Sequence, residues 1–238
     1  MDLSLLSILS FGFILGIKHA IEPDHVIAVS TIASESRRLS RSSLAGVYWG
    51  IGHTLTLFLT GVLLILLKVE IPEKWAMSFE FLVGIMLVYL GVAAIRSFRN
   101  VHVHNHKHDE VEAHHHVHAH VYNGEHAHTP HRHSSYGKSM LIGFIHGLAG
   151  SGAMVLLTMS TVSTAWEAAL YIAVFGAGTV AGMLFFTTVI GIPFVLSTGK
   201  RVLNRALTQV TGAVSALFGV YYMYNLGVTE GLFKLWLQ

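Results

Sequence analysis

The residues able to do chemistry in this chain crowd into one apolar run. Residues 16–30 read GIKHAIEPDHVIAVS, which sets Lys18, His19, Glu22, Asp24 and His25 within eight positions. Ionised groups at membrane depth cost about 2.5–3.5 kcal/mol each on insertion scales, so they are paired or line a pathway. Lys18 and Glu22 stand at i, i+4 and can neutralise each other on a continuous helix. That leaves Asp24 beside two imidazoles, a donor set suited to a divalent transition metal. On a straight helix His19, Asp24 and His25 point in different directions, at ~100° per residue. They converge only where the backbone unwinds, and Pro23 marks such a place.

The remaining histidines sharpen the pattern. Of 17 in the chain, 13 lie between His102 and His133, and the other four are His19, His25, His53 and His146, all within apolar segments. The 102–133 stretch, HVHNHKHDEVEAHHHVHAHVYNGEHAHTPHRH, is polar and of low complexity, and is expected to be disordered. Its His-X-His alternation suits the buffering or capture of nickel, cobalt, copper or zinc. His146 reads either as a helix-bridging hydrogen-bond donor or as part of a pathway. Glu80 reads either as an interfacial carboxylate reaching water or, like Glu22, as a pathway group.

The elements that carry these residues are membrane helices. Charged residues make up 12% of the chain and its mean hydropathy is +0.58, against about 25% charged for a soluble domain. A net charge of +2 argues against a nucleic-acid partner, and the lack of cysteine excludes disulfides and thiolate metal sites. The predicted fold is all-α, an integral membrane protein with six spans near 3–33, 44–67, 75–95, 139–163, 168–196 and 206–228. The first is too long for one straight crossing and is expected to break near Pro23. Three units follow: a three-helix repeat over 1–99, the His-rich loop over 100–137, and a second three-helix repeat over 138–238.

Eleven of the fifteen lysines and arginines fall in the loops after spans one, three and five. The positive-inside rule then puts the His-rich loop in the cytoplasm and both termini on the other side of the cell (inner) membrane. The halves also resemble each other. Gly12 and Gly16 recur as Gly143 and Gly147, Gly50 and Gly52 as Gly176 and Gly178, and Gly84 and Gly91 as Gly212 and Gly219. Two three-span halves have opposite topology, the inverted repeat of many transporters. Each glycine taken alone also reads as a helix-packing residue.

The stretch Lys18-His19-Ala20-Ile21-Glu22-Pro23-Asp24-His25-Val26 closely resembles the RHAxDADHI signature of the nickel/cobalt transporter family, whose core is H-x4-D-H. Gly52-His53-Thr54 is similar to that family's LGHS-type motif. Six spans with a histidine-rich loop between the halves are most similar to its shorter UreH-like branch. The resemblance implies passage of Ni²⁺ or Co²⁺, with His19, Asp24 and His25 as ligands and His53 as a further one. Mn²⁺, Fe²⁺ and Zn²⁺ stay within the range of such donors. This sequence departs from the signature at Lys18, Glu22 and Pro23, and the family's acidic second-half motif is replaced by Gly143–Gly152.

The expected function is therefore a non-enzymatic permease for a divalent metal ion in the lipid bilayer. No Gly-x4-Gly-Lys-Ser/Thr stretch marks an ATP-driven pump. A second reading is an accessory membrane protein that stores metal and passes it to a metal-using enzyme such as urease, or to that enzyme's chaperone. A membrane metalloenzyme built on histidine boxes would need HxxxH or HxxHH clusters, which the spans lack.

Overall fold

The computed structural model describes residues 3–69, 71–97, 101–104, 116–119, 136–162 and 164–237. Helices α1 (Leu3–His19) and α2 (Pro23–Ser34) lead into α3 (Leu39–Leu67) and α4 (Glu73–Ser97). A short antiparallel pair, β1 (Val101–His104) and β2 (His116–Ala119), sets His102 opposite His118 and His104 opposite His116 in register. The rest of the predicted metal-buffering loop lies outside the described residues. Helices α5 (Tyr136–Thr161), α6 (Ala165–Leu196) and α7 (Arg201–Tyr224) complete the bundle, followed by a π turn and the short α8 (Leu232–Leu237).

Helices α3, α4 and α6 are each long and apolar enough to cross a bilayer. So are α1 and α2 together, as one segment bent by 58°. The bend has a local cause. Ile21 N–H bonds Lys18 O and Glu22 N–H bonds His19 O, each three residues back, which tightens the end of α1. Glu22 is then extended at the N-cap of α2, and Pro23 takes the first helical turn, where its missing N–H costs nothing. The expected Lys18–Glu22 pair is not formed, because α1 has ended before Glu22 and the i, i+4 geometry does not extend across the break.

The burial pattern is that of a protein in lipid. Leu59, Leu63, Phe185, Val189, Leu217 and Tyr221 face outward, whereas Ser42, Thr56, Thr179, Thr187 and Ser215 are buried between helices. Small residues let backbones approach where apolar lipid supplies no hydrophobic drive between helices. Gly52 of α3 lies against Met140 and Phe144 of α5, and Gly178 of α6 lies against Phe13 of α1. On α4 and α7, Gly84 meets Gly219 and Gly91 meets Gly212. Replacing each residue by its repeat counterpart turns one contact of each set into the other: Gly52 becomes Gly178 as Phe144 becomes Phe13, and Gly84 becomes Gly212 as Gly219 becomes Gly91.

Candidate metal centre

The break between α1 and α2 does what a straight helix cannot. It ends α1 on His19 and restarts the chain so that Asp24 and His25 turn back toward it. His19 and His25 lie with ring centroids 4.5 Å apart. His53, from the middle of α3, completes a group of three imidazoles whose donor atoms all fall within 4.8 Å of one another. His19 Nε2 and His53 Nε2 are 3.0 Å apart. Two nitrogens bound at ~2.1 Å and at right angles to one metal would be ~3.0 Å apart.

Hydrogen bonds assign the protons. The Nδ1–H of His19 donates to Glu22 Oε2 at 2.9 Å, so its Nε2 carries the lone pair. The Nδ1 of His25 donates to Asp24 Oδ1 at 3.1 Å, while the His25 backbone N–H reaches the same oxygen at 2.9 Å. His25 Nε2 is left as a bare acceptor, buried and without a partner. His53 Nε2–H then donates to His19 Nε2. Two of the three histidines thus carry the carboxylate behind the ring that orients metal-binding imidazoles and raises their basicity.

His146 of α5 joins from the second half. Its Nε2–H donates to Asp24 Oδ2 at 2.9 Å, and its ring centroid is 4.1 Å from that of His25. Asp24 is therefore a hub between His25 and His146, and Asp24, His25 and His146 form a second close donor group sharing His25 with the first. Besides His25 Nε2, His53 Nδ1 and His146 Nδ1 are buried without partners. A buried polar atom left unsatisfied costs about 1–3 kcal/mol, and a cation coordinated by these nitrogens would satisfy them.

These groups line a cavity of about 300 Å³, with Glu80 and Tyr222 in the same wall. The ionisable residues singled out in the apolar segments, Lys18, His19, Glu22, Asp24, His25, His53, Glu80 and His146, thus reach one place. Tyr222 and Phe175 were not foreseen, since a tyrosine in α7 and a phenylalanine in α6 look like ordinary packing residues in the sequence. Trp49 packs against the cluster, its ring 5.8 Å from that of His25 and 5.4 Å from that of His146.

The likeness to known proteins agrees with this chemistry. A protein named urease accessory protein UreH, from Bacillus sp. (strain TB-90), is 58% identical over 100% of this chain and 99% of its own. Two chloroplast proteins of Arabidopsis thaliana, named FOR GROWTH AND FERTILITY 1 and 2, are each 25% identical over 76% of the chain. The chain spans about half of their length, 48% and 46%. No solved structure matches it. Residues 5–218 match the family described as high-affinity nickel-transport protein, and by that match this integral membrane chain belongs to the nickel-transport family.

Proposed function

We propose that the protein is a permease for Ni²⁺, with Co²⁺ as the next-best cargo, and that the ion passes through the histidine cluster at the α1–α2 break. The observation that carries this reading is the unpartnered His25 Nε2, buried beside His19 and His53 at the end of an open cavity. His19, His25 and His53 supply three imidazole nitrogens that replace hydration water. Asp24 holds His25 and ties in His146, so it acts through the ligands or joins them as the ion moves. For an ion to take both facing Nε2 lone pairs, the His53 proton moves to Nδ1.

The full architecture belongs to the same reading: six spans in two three-span halves of opposite orientation. The reciprocal glycine contacts support it, since contacts exchanged under the repeat offsets are what a pseudo-two-fold relation produces. The lysine and arginine asymmetry supports a cytoplasmic His-rich loop and termini on the far side.

Radiolabelled Ni²⁺ flux into proteoliposomes tests the site. The wild type should carry Ni²⁺ and Co²⁺ ahead of Mn²⁺ and Zn²⁺, and His25→Ala should lose at least ten-fold of that flux. Equal flux in both proteins would sink the proposed site. The name of the Bacillus relative favours a second reading, storage and delivery of nickel to urease. Deleting residues 102–133 separates the two, because a store should lose its capacity while a permease keeps moving metal.

A further inference from the structure

The cavity carries one carboxylate that the histidine cluster does not engage. Glu80 of α4 is half-buried in its wall. The Tyr222 hydroxyl donates to Glu80 Oε2 at 3.1 Å, and Oε1 has no partner among the described residues. No lysine, arginine or histidine among the described residues pairs with it. A carboxylate at membrane depth without a counter-cation is costly unless a mobile cation or water serves it.

Its depth gives it a place on the route. The end of α3 at Leu67 and the start of α4 at Glu73 share one face of the bundle, joined by residues 68–72. At 1.5 Å per residue Glu80 lies ~10 Å in from that face and His53 ~21 Å in. The antiparallel contacts of Gly84 with Gly219 and Gly91 with Gly212 bring the end of α7, with Tyr222, to the same level. Toward the other face Val29, Ile32, Leu87, Leu90 and Ile142 are buried in one apolar cluster. Glu80 thus lies between the 68–72 face and the histidines within one cavity wall, and hydrocarbon packs on their other side.

We propose that Glu80, held by Tyr222 from the opposite half, is the capture residue of the pathway. A hydrated divalent cation arriving from the face of the 68–72 connection pairs with Glu80 through its water shell. It then moves ~10 Å inward to exchange that shell for imidazoles. Outer-sphere pairing with one carboxylate does not distinguish hard from borderline cations, whereas the histidines do. Glu80 therefore sets the rate of capture and the sensitivity to Mg²⁺, and the histidines set the choice of metal. This deepens the permease reading and rests on it.

The test is sided Ni²⁺ flux in oriented proteoliposomes, with the visible spectrum of bound Co²⁺ as a report on the histidine cluster. Glu80→Gln should raise the half-saturating Ni²⁺ concentration about ten-fold on the 68–72 face, keep the maximal flux, and lose competition by millimolar Mg²⁺. Glu80→Asp should restore the Mg²⁺ competition, and the Co²⁺ spectrum should match the wild type in both. An unchanged half-saturating concentration in Glu80→Gln overturns the proposal. So does loss of its Co²⁺ spectrum, which would make Glu80 part of the cluster or of its support. Failure of the permease reading looks different: the wild type itself would move no nickel, and His25→Ala would leave the Co²⁺ spectrum intact.

Discussion

Asp24 accepts three hydrogen bonds, from the His25 backbone, His25 Nδ1 and His146 Nε2. Its place is set by the chain, since it follows Pro23 in the first turn of α2. Asp24→Asn keeps the volume but turns an N–H2 group toward one of the two rings, forcing that imidazole into its other tautomer. The expected result is a 10–100-fold loss of Ni²⁺ affinity, the usual cost of disturbing a carboxylate behind a metal-bound histidine, read by competition with a coloured chelator. Affinity equal to the wild type would reduce Asp24 to a packing residue. Ligating imidazoles must also be neutral, so protons compete with Ni²⁺ for the cluster and binding should weaken, not strengthen, as pH falls. A Ni²⁺ titration at pH 5.5 and 7.5 checks that, and tighter binding at the lower pH would contradict it.

At the scale of the element, the break between α1 and α2 is maintained by more than its proline. The tight turn at Lys18–Glu22 and the His19–Glu22 contact precede Pro23, which only opens the next helix. Pro23→Ala should therefore retain nickel affinity and cost only about 0.4–1 kcal/mol, through a more flexible unfolded chain, seen as a small drop in melting temperature in detergent. Gly16 makes the contrast, because a Cβ there would strike the backbone of Phe175 and Thr179 in α6. Gly16→Val should push α1 off α6 and cost ~1–3 kcal/mol or more. It should also displace His19 and abolish high-affinity binding, whereas a fully active Gly16→Val protein would mean that α1 shifts freely.

For the molecule as a whole, glycine-lined crossings join helices from the first half of the sequence to helices from the second. The residues of the cluster and its cavity are shared unevenly: His19, Asp24, His25 and His53 come from the first half, and His146 and Tyr222 from the second. Thr179 occupies the repeat position of His53 and is buried on its own helix carbonyl, Phe175 O. Any rocking of one half against the other therefore moves His146 relative to His25 and remakes the Asp24 hub. The cysteine-free chain offers a direct check on the two orientations. Single cysteines replacing Lys68 and Lys234 should react with an impermeant maleimide from outside the cell, and those replacing Lys138 and Lys200 only from the cytoplasmic side. Labelling of Lys68→Cys and Lys138→Cys from the same side would contradict the six-span arrangement.

Much of this was legible without a structure because it depends on neighbouring residues. Apolar run lengths located the helices to within a few residues, and the density of ionisable groups at 18–25 marked the site, since hydropathy and donor chemistry belong to the local chain. The glycine offsets were readable for the same reason, but not what they touch. Whether Glu22 answers Lys18 or His19 turned on three residues of backbone that spacing rules treat as continuous helix. The meeting of His146 with Asp24, and of Tyr222 with Glu80, joins positions 122 and 142 residues apart. Such pairs depend on how each helix is rotated about its axis and where it crosses its partner. Residue types and spacing marked an integral membrane protein and pointed to a transition-metal site within it. Only the packing of α3, α5 and α7 around the broken helix decided which nitrogens are bare, which carboxylates stand behind them, and which distant residues share their cavity, because those depend on how each helix is rotated and where it crosses its neighbours.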